Sequence, residues 1–171
     1  MFVALVSGGK DSIYSIVLAQ RSGHELMACV HLGRPNNETE ESYMYQTAAS
    51  EAVAVQVEQC LGVPLIHHVR TGTSVNTSLV YQESENDEVE DLYAAICTAK
   101  ERFPDIQAVC SGAILSNYQR IRVEHVCSRL NLQSLAYLWR YSQHELLDAM
   151  IADRVHAVLV KTAAPPGLLP K

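Results

Sequence analysis

Phe2-Val3-Ala4-Leu5-Val6 runs directly into Ser7-Gly8-Gly9-Lys10-Asp11-Ser12, and the architecture of the chain is laid out in these eleven residues. The first five are an unbroken apolar run, as a strand buried on both faces requires. The next six break it with two glycines and then open a helix. Glycine lets the backbone turn tightly and brings its N–H groups against an anion with no Cβ in the way. The helix that follows aims its unbonded N–H groups and positive dipole end at the same place. Lys10 adds a full charge, and Ser7 and Ser12 add hydroxyl donors. Strand, loop and helix in this order make a phosphate cradle at the carboxyl end of a strand, where open α/β sheets bind ligands. A Walker A loop is excluded, because Ala4 and Asp11 occupy the places of its first Gly and its Ser/Thr. The plainer alternative is a glycine-rich turn capped by Asp11 or Ser12, with Lys10 in solvent.

Outward from this stretch, short apolar runs alternate with amphipathic segments. Glu25–His31, Pro64–Val69, Ile106–Cys110, Gln133–Leu138 and Val155–Val160 read as further strands. Val89, Leu92, Tyr93, Ile96 and Cys97 share one helical face, and Val123, Val126, Cys127 and Leu130 share another. Ser142-Gln143-His144-Glu145 has the form of a capping box ahead of Leu146, Leu147, Met150 and Ile151. Gly23 and Gly62 stand just past helical segments, where a left-handed residue ends a helix. Strand–helix repetition predicts an α/β fold: a twisted, mostly parallel sheet of about five strands with helices on both faces. Gly33–Glu41 and Thr71–Asp87 read as loops, the second long for a compact domain. Residues 1–162 form the expected domain, and 163–171 a Pro-rich tail or the start of a linker.

The chain has 171 residues, 48% apolar and 19% charged, with a net charge of −6. That composition excludes disorder, and the acidic balance argues against a nucleic-acid partner. No apolar run approaches the roughly 18 residues of a membrane span, and the apolar start is too short for a signal peptide, so a cytoplasmic protein with no membrane partner is expected. Cys29, Cys60, Cys97, Cys110 and Cys127 form no Cys-x-x-Cys pair, which predicts reduced, mostly buried thiols.

The hexapeptide Ser7–Ser12 resembles the signature of the PP-loop ATP pyrophosphatases, whose Ser-Gly-Gly-x-Asp-Ser holds the pyrophosphate of ATP. Other blocks narrow the resemblance. Ser42-Tyr43-Met44-Tyr45-Gln46-Thr47, Asp87-Glu88-Val89-Glu90-Asp91-Leu92, Gly112-Ala113-Ile114-Leu115-Ser116, Tyr118-Gln119-Arg120-Ile121-Arg122-Val123-Glu124 and Leu135-Ala136-Tyr137-Leu138-Trp139 are together similar to the diphthine–ammonia ligase family. That family completes diphthamide, the modified histidine of elongation factor 2, by amidating diphthine with ammonia and ATP. The resemblance implies ATP and Mg²⁺ as cofactors, and elongation factor 2 carrying diphthine and ammonium as partners. It implies an acyl-adenylate, with release of AMP and pyrophosphate. Family members continue into a Glu-Gly-Gly-Glu-Tyr-Glu-like segment that does not occur here, so an incomplete substrate side is an expectation too.

On this resemblance Ser7, Gly8, Gly9, Lys10, Asp11, Ser12 and Gly112 bind the nucleotide. Lys10, Asp11 and Arg122 act on the reaction, and Asp11 binds the metal or, alternatively, caps its helix. Tyr118 and Arg122 stand at i and i+4 on a stripe away from the Val123–Leu130 face. Arg122 there could hold the diphthine carboxylate or the adenylate phosphate, or be a surface arginine stacked on Tyr118. Gln119, Arg120 and Glu124 share this substrate block, although Ser116 and Gln119 also fit a capping box. Glu88, Glu90 and Asp91 belong to an acidic run that reads either as a solvated helix start or as partners for diphthine's trimethylammonium group. Tyr43, Tyr45 and Gln46 complete the expected substrate side. Another PP-loop amide ligase and a catalytically incomplete nucleotide-binding or interaction module remain open alternatives.

Overall fold

The computed structural model describes residues 1–34, 42, 44 and 52–159. Strands β1 (Phe2–Leu5), β2 (Leu26–Gly33), β3 (Leu65–Val69), β4 (Ala108–Cys110) and β5 (Gln133–Leu135) form one sheet in the order β3-β2-β1-β4-β5. Every neighbouring pair is parallel, with Ala4 opposite Cys29 on one side and Cys110 on the other. Among the described residues the helices are α1 (Lys10–Arg21), α2 (Val53–Val55, continued as π-helix over Gln56–Leu61), α3 (Glu88–Arg102), α4 (Asn117–Arg129) and α5 (Gln143–Ala152). None is long and apolar enough to cross a membrane.

Alternation along β1 divides the core in two, since successive strand side chains point to opposite faces. Phe2 and Ala4 pack with Cys29, Ile16, Ala19, Val53 and Val57, on the face covered by α1 and α2. Val3 packs with Val30, Ile66, Leu92, Ile96 and Val126, on the face covered by α3 and α4. Tyr14, Leu138, Leu146 and Met150 make a third cluster that seats α5 against α1. Helices on both faces of a five-stranded parallel sheet match the architecture expected from the sequence.

Three local expectations change. The sequence predicts a strand over Val155–Val160, yet residues 155–159 join no ladder, and Val158 and Leu159 are exposed. Arg154 has φ 58°, and the Val155 amide donates to the Met150 carbonyl, which closes α5 and directs the chain away from the sheet. Val160 and the tail 163–171 lie outside the described residues, as does the boundary at 162. The last strand ends at Leu135, because Leu138 and Trp139 belong to a turn whose Trp139 amide donates to the Ala136 carbonyl. Ser142 occupies the N-cap of α5 but its side chain makes no capping bond. Gly23 and Gly62 do adopt positive φ, 87° and 68°.

Candidate functional site

The chain passes from β1 to β2 to β3 in one direction and then returns to the other side of β1 with β4. The loops leaving β1 and β4 therefore diverge, and such a switch point leaves a crevice at the carboxyl ends of the strands. On one side stands Ser7–Ser12. Gly8 takes φ 80°, open to glycine at no steric cost, and Gly9 is the N-cap of α1. No side chain caps α1, so its first N–H groups are left for an anion. The loop is held from behind: the Ser12 hydroxyl donates to the Gly9 carbonyl at 2.9 Å, and Gln56 Nε2 donates to the Gly8 carbonyl at 3.2 Å. Asp11 is therefore in the first turn rather than at the cap. Its carboxylate pairs with Lys10 Nζ at 2.9 Å, with both side chains partly in solvent.

Against the start of α1 lies Gly112, which follows β4. A Cβ there would lie 2.9 Å from the Ser12 nitrogen and 3.0 Å from its Cα, so only glycine lets this loop lie against the start of α1. The crevice holds ≈ 280 Å³. The phosphate loop and Ser111–Ser116 flank it, while Val30, Leu32, Met44 and Val123 supply apolar wall. His31 also lines it and is 3% exposed. His31 Nδ1 is 2.8 Å from the Val6 carbonyl, which can only accept, so Nδ1 carries the proton and Nε2 is left as an acceptor. Burial, against the pull of that carbonyl bond, holds the imidazole below its ordinary pKa and so neutral. Nε2 of His31 and Oγ of Ser111 are buried with no hydrogen-bond partner among the described residues.

The acidic run and Arg122 build a second feature, the segment between β3 and α3. Asp87 caps α3, accepting from the Val89 amide at 2.9 Å and from the Asn76 amide at 2.7 Å. Asp91 accepts from the Gly72 amide at 2.7 Å and the Thr71 amide at 3.0 Å. Glu90 receives both arms of Arg129, at 2.9 and 3.0 Å, and the Tyr81 hydroxyl at 2.9 Å. Burial raises the Glu90 pKa, but Arg129 and the Tyr81 hydroxyl together outweigh it and hold the carboxylate below its usual range. Arg122 is fully buried, stacked 3.2 Å from the Tyr118 ring centroid, and donates to the carbonyls of Asn76, Ser78 at 3.1 Å and Tyr118 at 3.3 Å. The segment is thus strapped to α3 and α4 from several directions. Asp87 and Glu88 are fully buried rather than part of a solvated helix start, and Arg122 is not a surface residue.

The fold brings Ser7, Gly9, Asp11, Ser12, Gly112 and Gln119 to one crevice, with Gly8 and Lys10 in the same loop. Gln119 caps only in part: its amide donates to Ser116 Oγ at 3.3 Å, while its side chain donates to the Met44 carbonyl at 3.0 Å. Arg120 pairs with Glu124 at 2.5 Å and lies 4.6 Å over the Trp139 ring. Glu88, Glu90, Asp91, Tyr118 and Arg122 gather around the strap. Tyr43, Tyr45 and Gln46 lie outside the described residues. Sequence reading missed His31, Ser111 and Arg70; the signal for Ser111 was its place just past β4, which flanks the switch point. Burial pushes the Cys29 and Cys127 thiols up to about 12 and Cys110 up to about 11, which keeps them protonated and inert.

Residues 1–134 match the diphthamide synthase N-terminal domain. Over 165 residues the chain is 46% identical to a diphthine–ammonia ligase of Rattus norvegicus and 44% identical to one of Homo sapiens, covering 94% of this chain and 61% of each relative. It is 42% identical over 163 residues to a diphthine–ammonia ligase of Schizosaccharomyces pombe, covering 95% of this chain and 27% of that one. The chain therefore spans about three-fifths of the length of the mammalian relatives it matches.

Proposed function

The chain belongs to the diphthamide synthase N-terminal domain family, and from that premise we propose that its crevice binds ATP for the amidation of diphthine on elongation factor 2. The observation that carries the reading is the uncapped start of α1 behind Ser7–Ser12, with Gly112 packed against it beside the crevice at the switch point. A triphosphate suits this cradle, since backbone N–H groups, the helix dipole and Lys10 all favour negative charge there.

In the reaction a carboxylate oxygen of diphthine attacks the α-phosphorus of ATP. The bond to the bridging oxygen breaks, pyrophosphate leaves, and an acyl-adenylate forms. Ammonia then attacks the acyl carbon, AMP departs with the C–O electron pair, and the nitrogen loses a proton to solvent. Lys10 and the first N–H groups of α1 hold the charge that develops on the departing phosphates, which is positioning and electrostatic work rather than covalent catalysis. No thiol is called on.

Among the described residues no group of three or more His, Cys, Asp or Glu could hold a metal ion by itself. Magnesium beside a triphosphate needs only one or two carboxylates, the rest being phosphate oxygens and water. Asp11, lining the crevice in the first turn of α1, fits that need. Bound there, the ion would neutralise phosphate charge. Gln119 lines the crevice at the start of α4, and we assign the substrate side to this half of α4, with Tyr118, Arg120, Arg122 and Glu124, and to the strap.

The test is isotopic. With labelled ATP, AMP should be released only when both ammonium and diphthine-bearing elongation factor 2 are present, and the modified histidine should become amidated. Lys10→Ala should weaken ATP binding about tenfold or more, as loss of a charge-assisted contact does. AMP release that needs neither partner overturns the ligase reading. ATP binding that is lost in Lys10→Ala, with no turnover in the wild type, would instead favour a nucleotide-binding module.

A further inference from the structure

Glu88 is the first residue of α3 and has no exposed surface. Its carboxylate gathers three side chains from two separate segments. Arg70, just past β3 and 1% exposed, donates Nη1 to Oε2. Ser74 of the strap donates its hydroxyl to Oε1 at 2.7 Å. Ser42, in the connection between β2 and α2, donates its hydroxyl to Oε2 at 2.6 Å.

The chain of bonds continues from Ser42 to the crevice. Ser42 Oγ also accepts from the Met44 amide at 3.0 Å. Met44 lines the crevice, and its carbonyl accepts from Gln119 Nε2 of α4 at 3.0 Å. One wall of the crevice is therefore held between a buried carboxylate and the first turn of α4.

A buried ion pair is weak grounds for stability, because desolvating two charges offsets most of their attraction and a well-packed apolar pair serves the fold as well. A carboxylate supplies something an apolar side chain cannot: acceptor oxygens with several lone pairs in fixed directions, here taken by two hydroxyls as well as by Arg70. We propose that Glu88 is a positioning residue for the nucleotide crevice. Through Ser42 it sets the Met44 wall against Gln119, and through Ser74 and Arg70 it fixes that wall relative to the strap. Arg70, donating to Oε2, holds the carboxylate in the orientation that both hydroxyls meet. This assignment rests on the reading that the crevice takes ATP.

Calorimetric titration with ATP, read beside urea unfolding of the same proteins, tests it. Ser42→Ala removes the link to the wall without disturbing the buried charges. It should lower the urea midpoint a little, because Glu88 Oε2 and the Met44 amide each lose a partner, while the still-folded protein binds ATP about tenfold more weakly. Ser42→Thr, which keeps the hydroxyl, should restore affinity. Glu88→Gln alone leaves Arg70 uncompensated and should lower the midpoint. The double variant Arg70→Met with Glu88→Leu should recover the midpoint but not the affinity. If the wild type binds ATP, and both Ser42→Ala and the double variant bind it equally well, Glu88 only supports the fold and the inference falls alone. If the wild type does not bind ATP at all, the reading of the crevice falls and takes this inference with it.

Discussion

Gly112 and His31 show how much at this site depends on single atoms. Gly112 leaves out a Cβ that would meet the backbone of Ser12 at 2.9 and 3.0 Å, and backbone cannot swing aside as a flexible side chain can. Gly112→Ala should therefore separate the β4 loop from α1, costing about 1–3 kcal/mol in urea unfolding and weakening ATP binding. His31 is kept neutral by burial, in opposition to the Val6 carbonyl bond. Its folded pKa lies below the unfolded value of about 6.5. Above that pH the ring is neutral in both states and costs nothing. Below it the unfolded chain takes up a proton that the folded chain refuses, so stability should fall with pH until the folded pKa is reached. His31→Asn keeps a donor for the Val6 carbonyl and removes the titrating ring. Urea midpoints at about pH 7 and about pH 5.5 should differ less in the variant than in the wild type, and an equal difference would show that His31 does not carry this limb.

At the scale of elements, α3 and α5 begin alike in sequence and differently in space. Ser142-x-x-Glu145 is the better capping motif on paper, yet no side chain caps α5. Asp87, at the head of an acidic run, caps α3 and at the same time holds the Asn76 amide, 2.7 Å away. Asp87→Ala should cost about 2 kcal/mol or more, since it removes a cap and leaves a second amide unpaired. Ser142→Ala should change stability by less than about 0.5 kcal/mol. Denaturant melts of the two variants check the contrast, and comparable losses would contradict it. Capping patterns name the residues able to cap; whether a side chain turns toward the amide depends on what else it meets. The acidic run makes the same point. Its spacing said only that the charges cluster at a helix start, and tertiary structure gave Glu88 to Arg70, Glu90 to Arg129 and Asp91 to the Thr71 and Gly72 amides.

For the whole molecule, a ligand that binds only the folded state adds stability by mass action. ATP at about 100 times its dissociation constant should raise the unfolding free energy by about 2.7 kcal/mol, seen as a rise in melting temperature that Lys10→Ala cuts to about half or less. A melting temperature indifferent to ATP would separate the crevice from the nucleotide. Much of this molecule was determined by the order of its residues alone. Apolar runs of strand length alternating with helical periodicity demanded a parallel sheet covered on both faces, because each element must bury its apolar side. Two glycines between a strand and a helix demanded a turn that exposes backbone N–H groups. Both are local consequences of chain geometry and period. Tertiary structure alone decided that Val155–Leu159 leaves the sheet, that Arg122 is buried beneath the Asn76 and Ser78 carbonyls, and that His31, Ser111 and Gly112 meet the phosphate loop at one crevice. Those outcomes join residues distant in sequence, and no local periodicity records which of them the packed sheet will bring within a hydrogen bond's reach.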